Sequence, residues 1–170
     1  MKKLVYTTMM LLALTTVPVK AQNFMERINF EVSAGSGIKN KGITPVDFSF
    51  KSLVEFVSIS YLFVTVEDNI SLYKKDEIKT YFNGVGIGGG IGVKLLNNTK
   101  CNHALDIRAK AVSSVGNPSW KRSSYDLSLA WYINSRRFSP IVELGYKYID
   151  SHAKEIGNCG NAFLSIGFRY

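Results

Sequence analysis

Few residues in this chain have types and spacings that suggest chemistry. His152 follows Asp150 and Ser151, the residue types of a hydrolase in which a histidine activates a serine. Neighbours on one stretch of chain are not a triad until hydroxyl, imidazole and carboxylate meet in space. Gly84-Val85-Gly86-Ile87-Gly88-Gly89 has the spacing of the dinucleotide fingerprint, which needs a helix N-terminus after it to hold a pyrophosphate. Here the glycines continue at two-residue intervals to Gly92 with no helical pattern. The expectation is a bare strand face that leaves room for long charged side chains from neighbouring strands. His103 and His152 are too few and too far apart for zinc, and neither sits in an HExxH or Cys/His spacing. No catalytic residue, metal or cofactor is expected.

The largest chemically active set is ionic, and its spacing is two residues. Glu31, Asp47, Asp106, Asp126 and Glu143 alternate with apolar neighbours, as do Lys51, Lys94, Arg108, Lys110, Lys147 and Arg169. A period of two places them on one face of β-strands whose other face is apolar. If the strands close into a small barrel, these acids and bases lie inside and must pair with one another, because an eight-stranded barrel is only wide enough to be filled by side chains. The lumen is then plugged.

The elements that carry these groups follow from the pattern. Ile28–Ala34 alternates and is followed by turn residues from Gly35 to Gly42; strands are predicted over about 43–51 and 54–66, with a polar loop from Glu67 to Lys79. An alternative makes 38–52 a loop and places a turn at Glu67-Asp68-Asn69. Further alternating strands are predicted over Tyr81–Leu95, Leu105–Ala111, Tyr125–Ile133 and Val142–Tyr148, and along the C-terminus. The count is eight. Short turns at 97–102 and 134–138 alternate with longer loops at 112–122 and 150–161, the asymmetry of short periplasmic turns and longer external loops. Tyr81, Tyr125, Tyr146, Tyr148, Phe168 and Tyr170 fall near strand ends, where interfacial girdles form.

Both termini agree with a secreted barrel. Lys2 and Lys3, an apolar run to Val19 and small Ala21 before Gln22 read as a signal peptide over 1–21. The barrel domain then spans 22–170. Three of the 21 basic residues lie in the signal, against 13 acidic ones in the whole chain, so the remainder carries +5. The lysines are dispersed among acids, a poor footprint for nucleic acid. No later segment is long and apolar enough for a membrane helix, and a closed barrel is the other structure that satisfies every backbone amide in lipid. Leu164, Ile166, Phe168 and Tyr170 share one face of the last strand, opposite Ser165, Gly167 and Arg169, and resemble the terminal signature read by the barrel-assembly machinery. Cys101 and Cys159 would lie at opposite ends of such a barrel, about 25 Å apart, too far for a disulfide.

The whole mature chain resembles the small outer-membrane β-barrel proteins common in Bacteroidetes. The residues behind this are Ala21/Gln22 followed by Asn23, Gly84–Val93, Phe138–Tyr148 and Ser165–Tyr170. The expectation is an all-β, eight-stranded antiparallel up-and-down transmembrane barrel in the outer membrane, monomeric, surrounded by lipid and without enzymatic activity. It would serve envelope structure or surface contact, with Trp120, Lys121 and Arg122 as loop residues able to meet an anionic lipid or glycan. Two other readings stand beside it: a barrel enzyme acting on lipid, since small lipid A deacylating barrels carry Ser and His at the membrane surface, and a soluble periplasmic β-barrel binding a small apolar ligand.

Overall fold

The computed structural model describes residues 28–75, 78–98, 102–133, 138–152 and 157–170. The proposed signal segment lies outside them, as does Cys101. Eight strands follow one another: β1 (Ile28–Gly37), β2 (Ile43–Val57), β3 (Ser60–Lys75), β4 (Ile78–Asn98), β5 (His103–Ser114), β6 (Arg122–Ile133), β7 (Ser139–Ser151) and β8 (Cys159–Arg169). Each pairs antiparallel with the next, and β8 pairs with β1 to close a single barrel. Closure runs through Val32 opposite Phe168 and Ala34 opposite Ile166. Phe30 and Tyr170 complete it by exchanging both backbone hydrogen bonds at 2.8 Å.

The strand division between Gly42 and Lys79 differs from the one predicted. β2 and β3 are long and meet at Ser58-Ile59, and 67–75 is strand, not loop. The turn is hidden because Ser58-Ile59 contains no Gly, Pro, Asn or Asp and lies within an apolar run. The continuation of β3 is hidden because a polar barrel interior makes half of its residues hydrophilic: Glu67, Asn69 and Ser71 point in, while Val66 and Leu72 point out. β1 also runs on through Gly35 to Gly37, and β4 begins at Ile78.

Alternation sorts the side chains of every strand into two sets of opposite polarity. Outward are Phe30, Val32, Phe48, Phe50, Leu62, Val64, Val66, Ile87, Ile91, Leu127, Leu129, Leu144, Leu164 and Ile166, all exposed. Tyr81, Tyr125, Tyr146, Tyr148, Phe168 and Tyr170 join them on the outer wall. Inward and buried are Glu31, Lys51, Glu67, Asp106, Arg108, Asp126, Glu143 and Lys147. The usual order of a globular protein, apolar inside and charged outside, is reversed.

Candidate functional site

The barrel interior is stacked in four layers along its axis. At the end that holds Ile28 and Tyr170, Ala104, Ala130, Tyr132 and Ile141 form one buried apolar cluster and Leu53, Tyr61 and Phe63 another. At the opposite end Ile43, Trp120, Ile149 and Cys159 pack together with Tyr73 and Phe82. Two ionic clusters lie between these caps.

The first ionic cluster centres on Arg108, which is 1% exposed. Its Nη1 and Nη2 donate to the two carboxylate oxygens of Glu31 at 2.9 and 3.0 Å, a fork meeting a fork. Its Nε donates to the Tyr61 hydroxyl at 2.8 Å, and that hydroxyl donates to Asp106 Oδ2 at 2.7 Å. Lys51 Nζ bridges Glu31 and Glu143 at 2.8 Å each, and Ser128 Oγ donates to the other oxygen of Glu143 at 2.5 Å. Arg169 stands 3.6 Å from both Glu31 and Asp106, with its guanidinium over the Tyr132 ring at 4.3 Å. Three carboxylates meet three cations.

The second cluster is built on lysines. Lys110 Nζ contacts Glu67, and lies 2.9 Å from Asp126 Oδ2. Lys147 contacts Asp47 and stands 3.7 Å from Asp126 and 3.8 Å from Glu67. Three carboxylates here meet two ammonium groups. Further out, Arg122 donates to Ser71 Oγ at 2.6 Å and stacks 4.8 Å from the Trp120 ring centroid. It forms no ion pair among the described residues, yet restores the interior to six acids against six bases. A cavity of about 20 Å³ touches both clusters through Lys51, Glu143, Asp47, Glu67, Lys110 and Lys147, which is room for about one water.

Of the ionic residues singled out in the sequence, Glu31, Asp106, Arg108, Glu143 and Arg169 come together in the first cluster, and Lys110, Asp126 and Lys147 in the second. Lys94 stays apart from both: it pairs with Glu55 at 2.8 Å, and both side chains are partly exposed. Sequence reasoning missed Glu67, placed in a loop, and the tyrosines that hold Asp106. The signal for Glu67 was the polar alternation Thr65, Glu67, Asn69, Ser71.

The glycine face of β4 serves a purpose other than the one expected. A Cβ on Gly92 would run into the Tyr61 ring, and one on Gly90 into Phe63. The space is therefore taken by aromatic rings from β3 rather than by long charged chains. The fingerprint glycines lie within a strand paired to β3 and, from Gly86 onward, to β5, so they open no helix. Ser151 Oγ accepts a hydrogen bond from Trp120 Nε1 at 2.9 Å, while the exposed His152 is held through its backbone N–H to Lys121 O at 3.0 Å. Cys159 is the first residue of β8 rather than a loop residue, and is buried in the apolar cap with Ile43, Trp120 and Ile149. Asn98 and His103 pair at the opposite end of the barrel, and Cys101 between them lies outside the described residues. Leu164, Ile166, Phe168 and Tyr170 line the outer wall, between 53 and 69% exposed.

No family model matches this chain, and no curated protein matches it. Among solved structures it is similar to the Yersinia pestis outer membrane protein Ail in a phospholipid bilayer nanodisc, at 15% identity over 84% of this chain and 99% of that one, with a TM-score of 0.45. A crystal structure of Ail, the attachment invasion locus protein, matches at 14% identity over 84% and 96% of the two chains, with a TM-score of 0.45. The same protein in complex with the heparin analogue sucrose octasulfate matches at 12% identity, with the same coverage and TM-score.

Proposed function

We propose that this chain is a small integral outer-membrane barrel with a closed lumen, working without catalysis in envelope structure or through contacts made by its outward loops. The observation that carries the proposal is the reversed polarity of the wall. A continuous outer belt of Phe, Leu, Ile and Val side chains would be costly in water and is matched to lipid, while closure leaves no unpaired strand edge along the wall. A soluble carrier of an apolar ligand would need the opposite arrangement. The end bearing Ile28 and Tyr170 has the tight Ser58-Ile59 turn, and the other end carries the longer segments 115–121 and 152–158, so the first faces the periplasm and the second the exterior. The apolar caps and the ionic pairs between them support a lumen without a through-path, with internal cavities the size of a water.

In this reading residues 1–21 are removed on export and the barrel is a monomer in lipid. The aromatic-ended face of Leu164, Ile166, Phe168 and Tyr170 is what the assembly machinery engages. Fractionation and gel mobility test the location: the protein is expected in the outer membrane and to migrate differently before and after boiling. A soluble protein with no mobility shift would overturn the membrane assignment. Planar-bilayer recordings test the lumen, where no steady conductance is expected. Lipid A mass profiles that change with expression, and revert in His152→Ala, would replace the non-enzymatic reading by the lipid-modifying one.

A further inference from the structure

Among the described residues, Arg122 is the buried base of the lumen that no carboxylate meets. Lys51, Arg108, Lys110, Lys147 and Arg169 each stand within 4 Å of an acid, whereas Arg122, at 8% exposure, does not. Its Nη1 donates to Ser71 Oγ at 2.6 Å and its backbone N–H to Ser114 Oγ at 2.9 Å, while Nε and Nη2 have no acceptor among the described residues. The Trp120 ring centroid, 4.8 Å from the guanidinium carbon, attracts the cation and keeps water from one face without neutralising it. A buried charge is ordinarily paired, because the hydration it loses is large.

The guanidinium borders a cavity of about 10 Å³, room for a single water-sized guest. Asn69, Ser124, Phe82 and Trp120 line it with Arg122, Gly84 and Gly86 leave its β4 side bare, and no Asp or Glu lines it. Asn69 uses one amide N–H on a long bond, 3.4 Å, to Glu67 O, which leaves the other for a guest. The acids deeper in the lumen, Asp47, Glu67 and Asp126, contact Lys110 and Lys147 instead. Asn69 separates Glu67 from Ser71 on the inner face of β3, and Ser124 separates Asp126 from Arg122 on that of β6. Asp68 and Asp150 stand in the outward register beside buried Glu67 and Ile149, and Lys121 is exposed. Asp76, Glu77 and Glu155 lie outside the described residues.

We propose that this cavity binds one monatomic anion of the chloride class, held by Nε and Nη2 of Arg122 with Ser124 and Asn69 as further donors. Its size selects against phosphate, sulfate and carboxylate groups. A water is the other guest of suitable size, but it leaves the guanidinium charge uncompensated. The cavity lies at the end of the barrel opposite Ile28 and Tyr170, so in the outer-membrane reading the ion enters from the external medium. Binding itself needs only the closed barrel.

The chain has two tryptophans, Trp120 and Trp131, and Trp131 stands on the outer wall at 43% exposure. Trp131→Phe therefore leaves Trp120 as the single indole, which bromide, a heavy-atom quencher close to chloride in size, quenches on contact. The full barrel with that substitution is placed in phosphatidylcholine nanodiscs and titrated with bromide against gluconate at constant ionic strength. Saturable quenching is expected, reversed by chloride and not by sulfate. Arg122→Gln should raise the half-saturating bromide concentration about tenfold or more while the heat-dependent mobility shift is kept. If Arg122→Gln does not insert, bromide-soaked crystals of the native chain decide, with an anomalous peak expected against the Arg122 guanidinium. Quenching that only rises linearly, saturation unchanged in Arg122→Gln, or no peak at Arg122 overturns the proposal. Reversal by sulfate as effective as that by chloride overturns the monatomic class in favour of an oxyanion. Failure of the native chain to insert counts against the membrane reading, and the crystals still decide the cavity.

Discussion

The two ionic clusters of the lumen are made from similar numbers of charges and are satisfied to different degrees. Around Arg108 the planar guanidinium meets the Glu31 carboxylate with two parallel hydrogen bonds and still has a donor for Tyr61. Around Lys110 and Lys147 each ammonium is a point charge shared among carboxylates, and Asp126 has only Lys110, at 2.9 Å from Oδ2, within direct reach, with Lys147 at 3.7 Å. The difference shows what arginine supplies in a dry interior: several directed donors on one rigid frame, so that one cation can order three strands at once. Lysines balance charge there with less control of geometry. The first cluster is therefore the element that locks the barrel, and the second is a tolerant filler beneath the outer cap.

Removing Arg108 should break the comparison most severely. Arg108→Met takes from the buried Glu31 its two directed hydrogen bonds, leaving Lys51 at 2.8 Å and Arg169 at 3.6 Å, and is expected to cost about 3–5 kcal/mol, read from the denaturant midpoint of mobility-shift unfolding in nanodiscs. Arg108→Lys keeps the charge but loses the fork, and should cost about 1.5–3 kcal/mol, the worth of a hydrogen bond to a charged group. If that variant were as stable as the native chain, charge alone would explain the cluster. Gly92→Ala acts on the same cluster through packing. The added methyl displaces Tyr61 from between Arg108 and Asp106, at about 1–3 kcal/mol, and combining it with Tyr61→Ala should give a total cost below the sum of the two. Asp126→Asn in the second cluster should cost under about 1 kcal/mol, because that cluster holds a surplus acid. A loss as large as that of Arg108→Met would erase the distinction between the clusters.

Much of the barrel was legible in the sequence because the signal of a strand is local. Tyr125 to Ile133 and Val142 to Tyr148 alternate without interruption, and the structure places them in β6 and β7. The region from Leu53 to Lys79 was not legible, since an apolar run with a featureless turn and a polar strand with a charged Asp68 on its outer face both blur the period of two. The same blur hid Glu67. Arg108 and Glu31 were readable as inward charges, but not as each other's partners.

By itself, then, the sequence determined which residues share a face, through an alternation that needs only the pleat of one strand. It could not determine who pairs with whom. Lys51 reaches Glu143 across 92 positions and Lys147 reaches Asp47 across 100. Those meetings depend on the register of all eight strands and on the stagger with which β8 closes onto β1, quantities that no single strand contains. Tertiary closure also decided what the β4 glycines are for, because the rings that fill their space come from β3.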